Sequence, residues 1–315
     1  MLADAARALR DRLGDAVTCD APIAELTTYR LGGPAAVLVR VGDLDALAAV
    51  AEVVHGRAVP VLVVGRGSNL LVAEHGYAGV VLVLDAGFAH VDVESDDVVS
   101  AGAAVPLPVL ARRSAAAGRA GLEFYVGIPG TVGGAVRMNA GGHGRDTREV
   151  VADAHVVDLA SGAATIRTWI PDDLGLGYRT SALGPYDVVV GARFTVTRGD
   201  AAACERRIAD VVAWRREHQP GGANAGSVFR NPPGDSAGRL IDACGLKGLR
   251  VGGAFVSPKH ANFFQAEPDA TADDVHALVA QVRRRVEEQT GIRLEPELHM
   301  VGFEPEEATV GGGGA

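Results

Sequence analysis

The chain has 315 residues, enough for two domains or for a pair of lobes plus a cap, and 30 Lys and Arg against 39 Asp and Glu leave a net charge of −9. That balance argues against a nucleic-acid partner, which needs a basic face, but leaves room for a small anionic ligand held by a local arginine cluster. Cys19, Cys204 and Cys244 form no C-x-x-C pair and the nine histidines are scattered, so neither a disulfide framework nor a metal site is expected.

In chain order, Leu2, Ala6, Leu9 and Leu13 recur at helical spacing among charges, which predicts a helix and not a secretory signal. A strand is predicted at 36–41, then a helix over 43–57 capped by Asp43, with Leu44, Leu47, Val50 and Val54 on one face. The apolar run 61–64 reads as a buried strand; it enters the turn Gly65-Arg66-Gly67-Ser68-Asn69 and leaves through Leu70, Leu71 and Val72. Strands follow at 80–84 and 98–101, and a helix at 106–118 that Gly118 stops. Beyond a glycine-rich segment come strands at 150–159, 163–169 and 187–197, then a helix at 201–217. Gln219-Pro220-Gly221-Gly222 breaks the chain, so the expected division is 1–219 and 220–305. The second part reads as a helix near 236–244, strands near 249–256 and 262–266, and a helix at 271–290 opened by Thr271 and Asp274. A last strand follows over 292–303. Residues 306–315 are polar and glycine-rich, and disorder is expected there. No run of 18 apolar residues occurs, so no membrane partner and a reduced, cytoplasmic setting are expected. The pattern is α+β, without regular βαβ alternation.

Two glycine-rich segments carry the chemistry. Residues 121–144, GLEFYVGIPGTVGGAVRMNAGGHG, hold eight glycines among apolar residues. Glycine is costly in regular elements, so such a run points to backbone that something approaches closely. A large, flat, phosphate-bearing cofactor is one such thing; a buried loop with tight turns is the other reading. The GRGSN turn lacks the third glycine of a Rossmann fingerprint and the Gly-Lys-Ser/Thr of a Walker A loop, so any nucleotide site is of another kind.

Seven motifs in order make the chain resemble the bacterial UDP-N-acetylenolpyruvoylglucosamine reductases, the MurB family. They are TTYRLGG (27–33), GRGSNLL (65–71), GLEF…GIPGTVGGAV…MNAGG (121–142), GYRTS (177–181), AGSVFRNP (225–232), GLKGLRVGGAFVSPKHANFF (245–264) and LEPELHMVG (294–302). The resemblance covers nearly the whole sequence. It implies a two-lobed FAD-binding domain of the vanillyl-alcohol-oxidase type, followed by a smaller α+β substrate-binding domain. It also implies the activity of a UDP-N-acetylmuramate dehydrogenase. NADPH reduces non-covalently bound FAD, which passes a hydride to the enolpyruvyl ether of UDP-N-acetylglucosamine in peptidoglycan precursor synthesis.

By the same resemblance, Arg179 and Glu297 stabilise charge developing on the substrate carboxylate, and Ser227 protonates the α-carbon. Arginine forks onto a carboxylate, whereas a glutamate beside an anion must hold a proton to help. Glu295 and Glu297 sit two apart on the expected strand, so periodicity does not choose between them; the family pattern favours Glu297. The family places FAD against Arg30, Gly65, Gly67, Ser68, Asn69, Gly127, Ile128, Gly130, Thr131, Gly133 and Gly134, with Ala101 and Gly102 as further candidates. Substrate candidates are Lys247, a point charge for a phosphate, and Tyr125, Arg216, Asn231, His260 and Asn262. A wider basic set of Arg179, Arg215, Arg216, Arg230, Lys247, Arg250 and Lys259 lies in or beside the motifs. Two departures stand out. Arg137 replaces a residue that is usually aromatic, and only 45 residues separate Ser181 from Ser227, too few for the tyrosine-bearing insertion of some members. Two alternatives remain at this point: an FAD-dependent oxidase of the same fold acting on an alcohol or sugar, and a nucleotide-binding module without catalysis.

Overall fold

The computed structural model describes residues 1–304, so the expected disordered tail at 306–315 and the end of the second part at 305 lie outside the described residues. The first lobe is a four-stranded sheet in the order Val17–Pro22, Pro34–Val41, Tyr77–Leu84 and Val61–Val63. The first pair is antiparallel and the other two are parallel. Parallel neighbours need a crossover, and the helix Leu44–His55 supplies one. Asp43 caps it by accepting the Ala46 N–H at 2.8 Å. Its apolar stripe of Leu47, Val50 and Val54 packs with Val39 and Leu82 of the sheet and with Ala5 and Leu9 of the helix Leu2–Leu13. The strand Val61–Val63 ends at the GRGSN turn, which therefore lies at the carboxyl edge of the parallel strands, where open α/β sheets bind ligands.

The second lobe is a five-stranded antiparallel sheet. Its order is Ile166–Trp169, Val151–Asp158, Asp187–Thr195, Val98–Gly102 and Val91–Val93. The helices Leu107–Ala116, Val132–Met138 and Ala201–His218 contribute to a core with Leu110, Val136, Phe194 and Ile208. Val157, Leu159, Val188 and Val190 pack instead into the core of the first lobe, which joins the two. The helix Val132–Met138 is an addition to the sequence expectation. Its glycines argue against a helix by propensity, but Thr131 accepts the Gly134 N–H at 3.4 Å and Val132, Ala135 and Val136 are buried.

Beyond the helix Ala201–His218 the chain forms the helix Ala237–Ala243 and an antiparallel sheet of Arg250–Val251, Ala254–Val256 and Phe264–Ala266. The helix Ala272–Thr290 covers that sheet through Val275, Leu278, Val279, Val282 and Val286. Its capping box is formed as expected: Thr271 Oγ1 accepts the Asp274 N–H at 3.1 Å, and Asp274 Oδ2 accepts the Thr271 N–H at 3.0 Å. The last strand is shorter than expected. Only His299–Val301 is regular, and it pairs in parallel with Leu70–Val72 of the first lobe. Pro296, which has no N–H for a ladder, makes only an isolated bridge with Phe229.

Candidate active site

The two glycine-rich segments meet in one cleft of about 320 Å³, within the range of small-ligand sites. Gly65, Gly67, Ser68 and Asn69 line one wall, and Gly127, Ile128, Gly130, Thr131 and Gly134 another. Gly67 has φ 54, and a Cβ there would lie 2.2 Å from the Leu26 carbonyl oxygen, so only glycine fits. A Cβ on Gly65 would lie 2.5 Å from Thr131 Oγ1, so the walls touch at that point. Two other glycines leave room. A Cβ at Gly226 would meet nothing within 4 Å, and one at Gly130 nothing closer than 3.6 Å. A flat ring system bearing a diphosphate matches this shape and its supply of backbone donors.

Arg179, Ser227 and Glu297 all line this cleft. Arg179 sits in the left-handed region at φ 56, on the turn Gly177–Thr180. Its Nε donates to Glu297 Oε1 at 2.6 Å, its Nη2 to the Gly141 carbonyl at 3.0 Å, and its Nη1 to the Asn139 carbonyl at 3.4 Å. The Glu297 side chain is only 12% exposed. Burial raises its pKa above the usual carboxylate range, and the nearby Arg179 and Arg230 guanidinium groups only partly offset that. The short charge-assisted bond and the raised pKa pull in opposite directions; the burial effect dominates, so this acid gains a proton readily once another anion competes for Arg179. The backbone fixes Glu297: its N–H donates to the Val228 carbonyl at 2.8 Å, and its carbonyl accepts from Asn69 Nδ2 at 3.0 Å. Glu295 is exposed, so the two glutamates do not share an environment.

Ser227 borders two clefts. Its hydroxyl makes no hydrogen bond among the described residues, and the second cleft contains Asn231, Arg239, Lys247, Lys259, His260 and Asn262. Lys247 is held by Asp242 at 2.7 Å. Burial, then the charge of Lys247, lowers the His260 pKa, which favours a neutral ring. Its Nδ1 lies 3.3 Å from the Asn262 N–H; as that contact's acceptor it would leave the proton on Nε2.

Several expected contacts are elsewhere. Arg30 is exposed and borders neither cleft; Gly133 also lies outside them, donating its N–H to Ala103 O at 2.9 Å. Gly102 is packed on backbone, with a hypothetical Cβ 2.1 Å from Phe88 O, and Ala101 faces a different cavity. Tyr125 is fully buried and donates to Thr147 Oγ1 at 3.0 Å, which supports the loop from within and leaves nothing for a substrate. Arg216 points to solvent while its neighbour Arg215, about 100° away around the helix, lines the first cleft. Asn262 borders the second cleft, but its amide is committed to Phe229 N and O at 3.0 and 2.8 Å. Sequence reasoning gave no site role to Arg66, Gln219 or His299, all on the cleft wall. His299 is open to the cleft, yet the surrounding protein, then Arg137 and Arg230, lowers its pKa. Arg137 also lines the cleft, with Nη1 turned to Gly184 O at 2.9 Å. Among the described residues no group of three or more His, Cys, Asp or Glu is placed to hold a metal ion, and no helix is long and apolar enough to cross a membrane.

With this geometry in hand, the family model described as the C-terminal domain of UDP-N-acetylenolpyruvoylglucosamine reductase matches residues 218–301, and an FAD binding domain model matches 35–166. The reductase of Acidiphilium cryptum is 44% identical over 296 residues, covering 94% of this chain and 93% of that protein. The chain belongs to the UDP-N-acetylenolpyruvoylglucosamine reductase family. The reductase of Paramagnetospirillum magneticum is 43% identical over 298 residues, covering 94% of this chain and 95% of its own. Among solved structures, the reductase (MurB) of Thermus caldophilus superposes with a TM-score of 0.78 at 37% identity, over 90% of this chain and 98% of that one. The residues matched by the FAD binding domain model include the GRGSN turn and the 127–134 segment that wall the cleft.

Proposed function

We infer that the chain is an FAD-dependent reductase that converts UDP-N-acetylglucosamine enolpyruvate to UDP-N-acetylmuramate at the expense of NADPH. The observation that carries this reading is that Arg179, Ser227 and Glu297 line one glycine-walled cleft, and that Ser227 also borders the cleft of Lys247, Lys259 and His260. Bound FAD supplies a hydride, drawn from NADPH, to the vinyl CH₂ of the enol ether. The protein's own residues do the rest. Gly65, Gly67, Ser68, Asn69, Gly127, Ile128, Gly130, Thr131 and Gly134 would hold the cofactor; Lys247, Lys259, Asn231 and His260 would hold the nucleotide diphosphate of the substrate. As the vinyl π pair moves onto the α-carbon and into the carboxylate, Arg179 turns part of its fork from Glu297 to the substrate oxygens. The added negative charge raises the Glu297 pKa further, so the protonated acid donates a second hydrogen bond to the same group. The Ser227 hydroxyl, free of protein partners, gives its proton to the α-carbon and completes the lactyl ether.

We place the boundary between cofactor and substrate domains at 219/220; the end of the helix at His218 and the family match starting at 218 support it. A cytoplasmic location is supported by three unpaired cysteines. The test is NADPH oxidation dependent on both FAD and the enolpyruvyl substrate. An oxidase would instead consume an alcohol and reduce oxygen, and a covalently tethered flavin would stay with the acid-precipitated protein.

A further inference from the structure

We infer that Asn139 aims the Arg179 guanidinium into the cleft, a positioning role that rests on the charge-stabilising part given to Arg179 above. Asn139 closes the helix Val132–Met138 in the left-handed region, at φ 41 and ψ 57. Asparagine tolerates that conformation better than most side chains with a Cβ. The turn brings its carbonyl oxygen to Arg179 Nη1, at 3.4 Å. Its side chain is 1% exposed and engaged on every side. Nδ2 donates to Gly177 O at 2.8 Å and to Asp146 Oδ2 at 3.1 Å, and Oδ1 accepts the Arg148 N–H at 2.9 Å. Two acceptors face one end of the amide and one donor faces the other, so its orientation is determined by its partners.

Gly177 lies two residues before Arg179. It closes the turn that carries the arginine through bonds to Thr180 in both directions, Gly177 N–H to Thr180 O at 3.1 Å and Thr180 N–H to Gly177 O at 3.3 Å. Asn139 therefore grips Arg179 at both ends: its amide holds the base of the turn, and its main-chain oxygen, with Gly141 O, holds the guanidinium. The rest of the arginine's hold is the Tyr178 ring, centred 5.3 Å from its guanidinium carbon, and the bond to Glu297, which the substrate must share. Asp146 Oδ1, beside this amide, is buried without a partner, so nothing nearby is poised to replace Nδ2.

The experiment uses the FAD-loaded enzyme with Asn139→Gly, which keeps the left-handed backbone and removes only the amide. Asn139→Asp is the second variant; it keeps the shape and the Arg148 bond but lacks both N–H donors. Each is made alone and with Arg179→Lys. The expected result is a slowing of the substrate half-reaction by about 10- to 100-fold, the scale of a displaced catalytic group, with the NADPH half-reaction and the flavin spectrum unchanged. In the Arg179→Lys background the same change should cost nothing more, because residues that act through one another are not additive. Additive losses, wild-type rates in both variants, or loss of bound FAD in both would overturn the inference. If Arg179→Lys itself keeps the wild-type rate, the part given to Arg179 falls as well, and that outcome is distinguishable because it needs no change at Asn139.

Discussion

Arg179→Lys separates transition-state stabilisation from substrate binding. The guanidinium spans three acceptors, Glu297 Oε1 at 2.6 Å, Gly141 O at 3.0 Å and Asn139 O at 3.4 Å. A lysine ammonium keeps the charge but is a single point on a flexible stem, so it cannot hold the loop carbonyls and fork onto a carboxylate together. Losing one donor aimed at developing charge costs about 3 kcal/mol, which is a slowing of roughly 150-fold at about 1.4 kcal/mol per decade. The ground state should suffer much less if, as proposed, Lys247 and His260 of the second cleft anchor the nucleotide end. Folding should change less than catalysis, since lysine keeps a positive charge beside the largely buried Glu297 carboxylate. Stopped-flow absorbance would follow the two half-reactions separately, and a titration of flavin absorbance would give substrate affinity. A variant whose substrate half-reaction kept its rate while affinity fell would refute the reasoning, because Arg179 would then be an ordinary binding residue.

Ser227→Ala should slow the substrate half-reaction by at least about 100-fold and leave the NADPH half-reaction intact; equal reoxidation rates would remove Ser227 as the proton donor. Glu297→Gln should depress turnover more than affinity, while Glu295→Gln, at an exposed position, should behave as wild type; the reverse pattern would move the acid by two residues. The same pair has a pH signature. Burial raises the Glu297 pKa in the folded state, so the folded protein binds this proton more tightly than the unfolded chain. Wild type should then lose stability relative to Glu297→Gln as pH rises from the ordinary glutamate pKa through the raised one; thermal melts whose difference stays flat or grows the other way would contradict it. Gly65→Ala forces a Cβ to 2.5 Å from Thr131 Oγ1, which costs the helix Val132–Met138 its cap, about 1 kcal/mol, and should weaken FAD binding; unchanged FAD affinity in equilibrium dialysis would place the cofactor elsewhere.

What could be read from the sequence follows the physics of each residue. The GRGSN turn was legible because Gly67 answers a backbone demand, a positive φ beside the Leu26 carbonyl, that composition exposes. Asp43 and the Thr271–Asp274 box were legible because capping is local. The choice between Glu295 and Glu297 was not. It depends on an extended segment that makes one isolated bridge at Pro296 and meets the first lobe through Asn69 and the strand Leu70–Val72, contacts more than 200 residues away in sequence. Tyr125 shows the opposite failure. An aromatic residue in a glycine-rich loop looks like a ligand contact, but the loop turns inward and the ring joins the core with Phe194, centroids 5.8 Å apart. Arg215 and Arg216 are adjacent on a helix, and helical phase at its last turn decided which one faces the cleft.

The tie between the end of the chain and its first lobe fixes the candidate acid Glu297 against the glycine-walled cleft. The strand His299–Val301 lies in register on Leu70–Val72, directly after the GRGSN turn. Asn69, within that turn, donates to the carbonyl of Glu297 at 3.0 Å and accepts the His299 N–H at 3.1 Å. The acid is thus bolted to the same turn that walls the cofactor site, so no hinge has to bring Glu297 to the reacting atoms after the substrate binds. Ser227 belongs to the same frame. It is bridged to Phe263 and borders both clefts, and the carbonyl of the next residue, Val228, accepts the Glu297 N–H at 2.8 Å. In the reaction proposed above, the acid and the proton donor would therefore be held on one hydrogen-bonded frame before the substrate arrives.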